Sequence, residues 1–69
     1  MDKAYVLIIG YHNDQDDLEA IFSSFKLARD YLSCKFPKAI VFSENPDSGY
    51  YYDENYDFSI YSAEIDPKP

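Results

Sequence analysis

Four side chains with oxygen donors near the carboxyl end of the chain share part of the ligand spacing of an EF-hand calcium loop. They occupy positions one, three, five and twelve of that pattern: Asp53, Asn55, Asp57 and Glu64. Position six, where the loop needs a glycine for its sharp turn, is Phe58, and residues 59–65 have the pattern of a strand where a helix should follow. We therefore expect solvated turn and strand acids here and no bound metal.

Catalysis would need a carboxyl pair in two different environments or an activated nucleophile. Three acids cluster among polar, turn-forming neighbours that do not desolvate them: Asp53, Glu54 and Asp57. For Cys34 the pattern predicts a buried, inert thiol on the apolar side of a helix, and for His12 a surface position beside a turn. The spacing of the two glycines provides no phosphate-binding loop. The sequence thus predicts no catalytic residues and no cofactor, and we do not expect an enzyme.

Three consecutive tyrosines precede these acids and indicate a contact surface. Neighbouring side chains of a strand point to opposite faces, so at least one of Tyr50, Tyr51 and Tyr52 should face away from the core. An outward tyrosine can simply shield the sheet backbone. It can also contribute to an interface, where tyrosine is enriched. The candidate partner-binding residues are Tyr50, Tyr52, Asp53, Glu54, Tyr56 and Asp57.

The charge of the chain limits its partners. Thirteen acidic residues against six basic ones give a net charge of −7, which disfavours direct binding to nucleic acids and to anionic membranes. Four of the six bases lie between Lys26 and Lys38, whereas the segment from Ser43 to Asp66 holds seven acids and no base. An acidic surface interleaved with aromatic rings favours a basic protein partner.

Length and composition indicate one acidic globular domain over residues 1–69. A chain of this length has room for one small core, and its hydrophobic content of 46%, with eight Tyr and five Phe, argues against disorder. The single cysteine forms no internal disulfide, and the apolar run near the start is too short for a signal peptide or a membrane span. We expect a cytoplasmic protein.

The hydrophobic pattern predicts about four strands. Residues 4–11 form a continuous apolar run typical of a central strand, and residues 18–22 alternate as expected for a second strand that pairs back on the first. Residues 39–42 predict a third strand, followed by a turn or loop over residues 43–49. Residues 50–65 predict one or two further strands with a turn near Asp53, and the two prolines of the tail, residues 66–69, predict irregular structure.

Between the second and third strands, residues 23–36 change to the 3.6-residue period of an amphipathic helix. Ser23 or Ser24 can cap its start, and Pro37 ends it. The order β-β-α-β-β predicts an α+β fold, a small antiparallel sheet with one helix packed on one face and the other face open. The expected core includes Val6, Ile8, Phe22, Ala28, Leu32 and Val41.

The opening "AYVLII", the helix "FSSFKLARDYL" and the Tyr- and acid-rich strand near the carboxyl end together cover most of the chain. In this combination the sequence resembles small phage-encoded and bacterial ββαββ proteins, including anti-CRISPR and other host-takeover proteins. The resemblance implies an anti-defence inhibitor that acts in the host cytoplasm by contact with a host protein.

Three functional hypotheses follow. The first is a small acidic inhibitor or modulator that docks its Tyr-rich surface on a basic, nucleic-acid-binding site of a host protein, and it imitates phosphate only if its acids share a face. The second is a self-association module, a homodimer through a sheet face or edge. The third is a domain that binds a small ligand or a metal. A basic macromolecular partner, a concentration-dependent mass or a thermal shift with ligand would distinguish them.

Overall fold

The computed structural model describes residues 3–11 and 16–64 of the chain. Its elements, in chain order, are β1 (Lys3–Tyr11), β2 (Asp16–Phe22), α1 (Phe25–Lys35), β3 (Ile40–Asn45), β4 (Ser48–Tyr52) and β5 (Tyr56–Glu64). The strands form one sheet in the order β2-β1-β5-β4-β3, and all neighbouring pairs are antiparallel. The predicted α+β class is confirmed. His12 and the tail at residues 66–69 lie outside the described residues.

The sheet has five strands, one more than the β-β-α-β-β order predicts, because residues 50–65 contribute to two strands, β4 and β5, with the expected turn near Asp53 between them. The bounds of β3 and β4 also differ from the prediction. Residues 43–49 were expected to form a turn or loop because they are rich in Asn, Pro, Asp, Ser and Gly. Instead β3 extends through Asn45, β4 begins at Ser48, and only two residues connect them. A two-residue connection is the commonest hairpin turn, so the turn-forming residues on either side of it belong to strands.

The helix begins and ends as its sequence predicts. Ser24 has extended backbone angles, and its hydroxyl accepts a hydrogen bond of 3.2 Å from the backbone N–H of Leu27. After Lys35 the chain leaves the helix through Phe36, whose N–H donates to the carbonyl of Leu32, and Pro37 follows. Lys35 in the last turn also suits the negative end of the helix dipole.

The core lies between the helix and one face of the sheet. Its buried residues are Leu7, Ile9, Ala28, Leu32, Tyr51, Phe58 and Ile60. Ala28 and Leu32 confirm the predicted helix stripe. The prediction of Val6 and Ile8 was wrong, because β1 turns its odd-numbered residues to the helix and leaves these two half-buried on the opposite face. An unbroken apolar run carries no alternation, so it does not indicate which set of side chains faces the helix.

Two further side chains lie elsewhere than predicted, and Phe22, which was predicted for the core, packs against it without being fully buried. Val41 is exposed because β3 is an edge strand beyond the reach of the helix. Cys34, expected to be a buried thiol, is exposed. At about 100° per residue it lies about 120° around the helix from Ala28, which is outside the buried stripe.

Both edge strands contain a β-bulge. In β2 the pairing with β1 passes from Ala20 to Leu18 and skips Glu19, and in β3 the pairing with β4 passes from Val41 to Ser43 and skips Phe42. A bulge redirects a side chain and interrupts the ladder at a sheet edge. The alternation predicted for residues 18–22 is therefore broken, and Leu18 faces away from Ala20 and Phe22.

Two groups of polar side chains connect the helix to the sheet edges. The carboxylate of Glu19 accepts hydrogen bonds from the Tyr31 hydroxyl (2.6 Å) and the Lys35 ammonium (2.7 Å). Lys35 first, and then Tyr31, hold the pKa of Glu19 below its usual range by these hydrogen bonds. The bulge in β2 thus aims a charged side chain at the helix end.

On the opposite edge, the Tyr51 hydroxyl donates to the Glu44 carboxylate (2.6 Å), which is also paired with the Arg29 guanidinium (2.8 Å). The ring of Tyr51 passes over Gly49, where a Cβ atom would lie 2.7 Å from Cζ of the ring. Glycine therefore leaves the space that Tyr51 needs. Burial first, and then the hydrogen bond to Glu44, raise the pKa of Tyr51 well above its ordinary value.

The raised pKa of Tyr51 predicts a loss of stability at alkaline pH. The folded state keeps a proton that the unfolded chain releases near its ordinary pKa of 10.0, so the stabilisation is complete below that pH and declines above it. We expect the Tyr51→Phe variant to lose less stability than the parent between about pH 8 and about pH 11, as measured by urea unfolding at both values. Equal losses in the two proteins would show that Tyr51 does not carry this effect.

Candidate functional site

The face of the sheet opposite the helix is not covered by any described element. Along β4 it carries Tyr50 and Tyr52, whose side chains are 56% and 40% exposed, whereas Tyr51 points to the helix and is buried. The predicted division of the three tyrosines between the two faces is confirmed. We call this side of the sheet the open face, and its residues are Ala4, Val6, Ile8, Gly10, Asp16, Leu18, Ile21, Ile40, Phe42, Ser43, Asn45, Ser48, Tyr50, Tyr52, Asp57, Ser59, Tyr61 and Ala63.

The strand register arranges the open face in rows across the sheet. One row consists of Asp16, Gly10, Asp57, Tyr52 and Ile40. The next consists of Leu18, Ile8, Ser59, Tyr50 and Ser43. A third contains Ile21, Val6 and Tyr61. Both carboxylates therefore lie in one row near one end of the sheet, and the other rows contain only uncharged side chains.

Two of the predicted contact residues lie in the turn between β4 and β5. The carboxylate of Asp53 accepts hydrogen bonds of 2.8 Å from the backbone N–H groups of Asn55 and Tyr56, and its own N–H donates to the carbonyl of Tyr56. Asp53 therefore has a structural role in closing the hairpin. Glu54 is exposed in the same turn, beside the open-face ring of Tyr52.

Tyr56 lies on the helix side of the sheet. Its ring is half-buried and packs against Phe36 and Tyr11, with ring centroids 5.8 Å and 5.0 Å away. The six predicted residues thus do not form one surface. Tyr50, Tyr52 and Asp57 share the open face, Glu54 adjoins it, and Asp53 and Tyr56 maintain the fold beneath it.

The described acids of the segment from Ser43 to Asp66 do not form a row of charges. Glu44 is paired with Arg29 on the helix side, and Asp47 lies 3.7 Å from the Lys3 ammonium. Of these acids, only Asp57 lies on the open face. Since imitation of phosphate was expected only if the acids shared a face, the described geometry favours a local negative charge beside apolar contacts.

The basic residues of the helix are neutralised by neighbouring acids. Lys26 is paired with Asp30 at 3.0 Å, and the pairs made by Arg29 and Lys35 connect the helix to the sheet. Each basic side chain of the helix is therefore paired with an acid. These pairs also make the helix a weaker candidate for an electrostatic docking surface than the open face.

The most exposed large apolar side chain of the described residues is one that sequence reasoning missed. Phe42 is 76% exposed, and its ring meets that of Tyr52 edge to face, with centroids 6.5 Å apart. The prediction placed Phe42 within an ordinary strand. Its orientation depends on the bulge in β3, and no residue pattern in that strand marks the bulge.

Phe42 and the open-face tyrosines border a hollow of about 640 Å³. Its lining residues are Phe42, Tyr50, Tyr51, Tyr52, Asp57 and Phe58. The rings of Phe42, Tyr50 and Tyr52 are exposed beside it and Asp57 contributes the carboxylate, whereas the rings of Tyr51 and Phe58 are buried on the helix side. Volumes of this order are typical of sites that accept a small ligand or a protruding side chain. The arrangement can hold an apolar or cationic group by contact, and it combines no nucleophile with a base.

The residues that match the calcium-loop spacing are too far apart to bind one ion. Asp57 and Glu64 lie seven residues apart on the same strand, a separation of about 23 Å at 3.3 Å per residue. Asp53 is engaged with the backbone of its turn. Among the described residues, no group of three or more His, Cys, Asp or Glu side chains is arranged to hold a metal ion.

No protein-family model matches the chain, and comparison with curated protein sequences and with solved structures finds no significant similarity. In the part of the chain that the structure describes, the helix is too short and too polar to cross a membrane.

Proposed function

We propose that this protein is a small protein-binding module, an inhibitor or modulator that docks the open face of its sheet on a basic surface of a protein partner. One observation carries the proposal: a whole sheet face with exposed Phe42, Tyr50 and Tyr52 has no helix or strand over it among the described residues. Apolar residues exposed singly are ordinary, but a contiguous patch marks an interaction site. Tyrosine is also enriched at the energetic centres of interfaces.

Charge supports a basic partner. The net charge of −7 and the two carboxylates in one row of the open face would attract a positively charged surface and repel an acidic one. Basic grooves of this kind are typical of nucleic-acid-binding proteins. We therefore propose such a protein as the partner, met in the cytoplasm. A host defence component as partner follows from the resemblance to phage proteins alone. Function then depends on contacts, without catalysis and without a cofactor.

Affinity capture with matched variants tests the proposal. The domain is immobilised as the parent, as Tyr50→Ala and as Tyr11→Ala, and exposed to a lysate of the cells in which it acts. Tyr11 is a suitable control because it is 46% exposed but lies on the helix side of the sheet. We expect a basic protein that is retained by the parent and by Tyr11→Ala and is lost with Tyr50→Ala, and that binds again as a purified protein. Retention that depends on Tyr11 and not on Tyr50 would contradict the proposal.

A second copy of the chain is the alternative occupant of the open face. Pairing through a sheet edge is disfavoured, because both edge strands carry bulges and β2 also carries three acids. Pairing through the open face would bury the same tyrosines about a two-fold axis. Salt distinguishes the two occupants. Two copies with net charge −7 should associate more strongly as salt rises, whereas a basic partner should bind more weakly.

A further inference from the structure

The hollow beside Phe42 is bordered by aromatic rings of the kind that bind a cation. The rings of Phe42 and Tyr52 are inclined at 75° to each other, so they form a corner, and Tyr50 stands two residues from Tyr52 on the same face. The bulge in β3 creates the corner, because it turns Phe42 out of the regular alternation toward β4. Aromatic rings present negative faces, and several rings around one space are the recurring means of binding a cation by its flat or methylated surface.

The carboxylate beside these rings completes the electrostatic character of the hollow. Asp57 is directly opposite Tyr52 in the register and lines the hollow. Asp16 is the next carboxylate in the row, and its Oδ1 lies over Gly10, at 2.5 Å from the position that a Cβ of residue 10 would take. Gly10 thus allows this side chain to lie on the open face beside Asp57.

We infer that the hollow binds one arginine side chain of the protein partner, with the guanidinium stacked on the ring of Tyr52, bordered by the ring of Phe42 and hydrogen-bonded to Asp57. Arginine fits better than lysine because its planar, weakly hydrated guanidinium stacks on aromatic faces and offers two parallel donors to a carboxylate. The inference rests on the proposed function, in that the arginine belongs to a protein. It adds the chemistry that the partner must present at the centre of the contact.

Short peptides that differ in one side chain test this inference. The probes are acetyl-Gly-Gly-Xaa-Gly-Gly-amide, in which Xaa is arginine, lysine or citrulline, the neutral near-isostere of arginine. Binding is followed by ¹H–¹⁵N chemical shifts of the whole domain, which also show that it remains folded. We expect the arginine peptide to shift the amide signals of Phe42, Tyr52 and Asp57 with a Kd of about 1–10 mM. The citrulline peptide should bind at least about tenfold more weakly, because it lacks the charge.

Two variants that each remove one negative charge separate a local contact from general attraction. Asp57→Asn acts in the hollow, whereas Glu54→Gln acts in the neighbouring turn, outside the lining of the hollow. We expect Asp57→Asn to weaken the arginine peptide about tenfold and Glu54→Gln less than about twofold. Equal effects of the two variants would overturn the assignment of Asp57.

Three other outcomes would overturn the inference as a whole: equal affinity for arginine and citrulline, stronger binding of lysine than of arginine, or no shift at these residues at about 20 mM peptide. The proposed function is judged separately. If the arginine peptide does not bind but the captured protein is still lost with Tyr50→Ala, the arginine inference is wrong and the open face remains the docking surface. If the peptide binds but no protein requires Tyr50, the hollow binds arginine and the proposed docking surface is wrong.

Discussion

Phe58→Ala is expected to lower the free energy of unfolding by about 3–5 kcal/mol. The Phe58 ring is 2% exposed and packs against Phe36, with centroids 4.7 Å apart. It lies at the centre of β5, the middle strand of the sheet. Its removal would leave a cavity that the sheet cannot close, because both neighbouring strands are fixed by their ladders. A small domain has a free energy of unfolding of only about 5–15 kcal/mol, so the Phe58→Ala variant would lose a large part of its stability.

Phe42→Ala is the matched control, because it removes the same side chain from an exposed position. With Phe42 76% exposed, we expect this variant to change the free energy of unfolding by less than about 0.5 kcal/mol. Both values come from urea unfolding followed by circular dichroism. Similar costs for the two substitutions would mean that Phe42 is part of the core and that the open face is covered. In a binding assay, by contrast, we expect Phe42→Ala to lower the affinity for the partner.

Removing the open-face tyrosines is expected to weaken partner binding by about 2 kcal/mol or more per ring, which corresponds to roughly thirtyfold in Kd. Rings at the centre of an interface act mainly after encounter, so Tyr50→Ala and Tyr52→Ala should raise the dissociation rate and change the association rate little. Surface plasmon resonance with the purified partner measures both rates. An unchanged dissociation rate in both variants would exclude these rings from the interface.

Charge reversal near the open face should change mainly the association rate. The double variant Glu54→Lys and Asp57→Lys is expected to slow association and to reduce its dependence on salt, since the encounter is steered by charge. Asp53 is left unchanged because its carboxylate holds the backbone of the β4–β5 turn. The controls are the single variants Asp57→Lys and Asp30→Lys, which change the net charge equally, and reversal of Asp30 on the helix surface should leave association nearly unaffected. A larger effect at Asp30 would assign the encounter to the helix side.

The class of fold was predictable because each element carries a local signal. Ser24 caps the helix and Pro37 follows its end, and the spacing of Ala28 and Leu32 predicts the buried stripe. The choice of β1 face was not predictable, because residues 4–11 are apolar on both sides. In the structure Leu7 and Ile9 are paired with Ile60 and Phe58 on the covered face, which is a register between residues about fifty positions apart in the chain.

The candidate site was predictable only in part for a related reason. Period-two alternation separates Tyr50 and Tyr52 from Tyr51, so the exposed rings of β4 were found from the sequence. The positions of Phe42 and Leu18 depend on bulges, and those follow from pairing between strands and leave no signature in the strand itself. Asp53 and Tyr56 belong to the acidic aromatic segment by composition. Their roles in the turn and on the helix side emerge only when the hairpin is closed.

Methyl cross-saturation in the complex identifies the side of the domain that contacts the partner. The domain is deuterated with protonated methyl groups, bound to its purified partner, and irradiated at the partner's resonances, so that methyl groups at the interface lose intensity. Leu18 and Ile21 on the open face and Leu27 on the helix are 58%, 58% and 50% exposed, which makes them comparable reporters. We expect strong attenuation of the methyl signals of Leu18 and Ile21 and little attenuation of those of Leu27. Attenuation of Leu27 with Leu18 and Ile21 unaffected would show that the helix side is the docking surface, and would contradict docking through the open face.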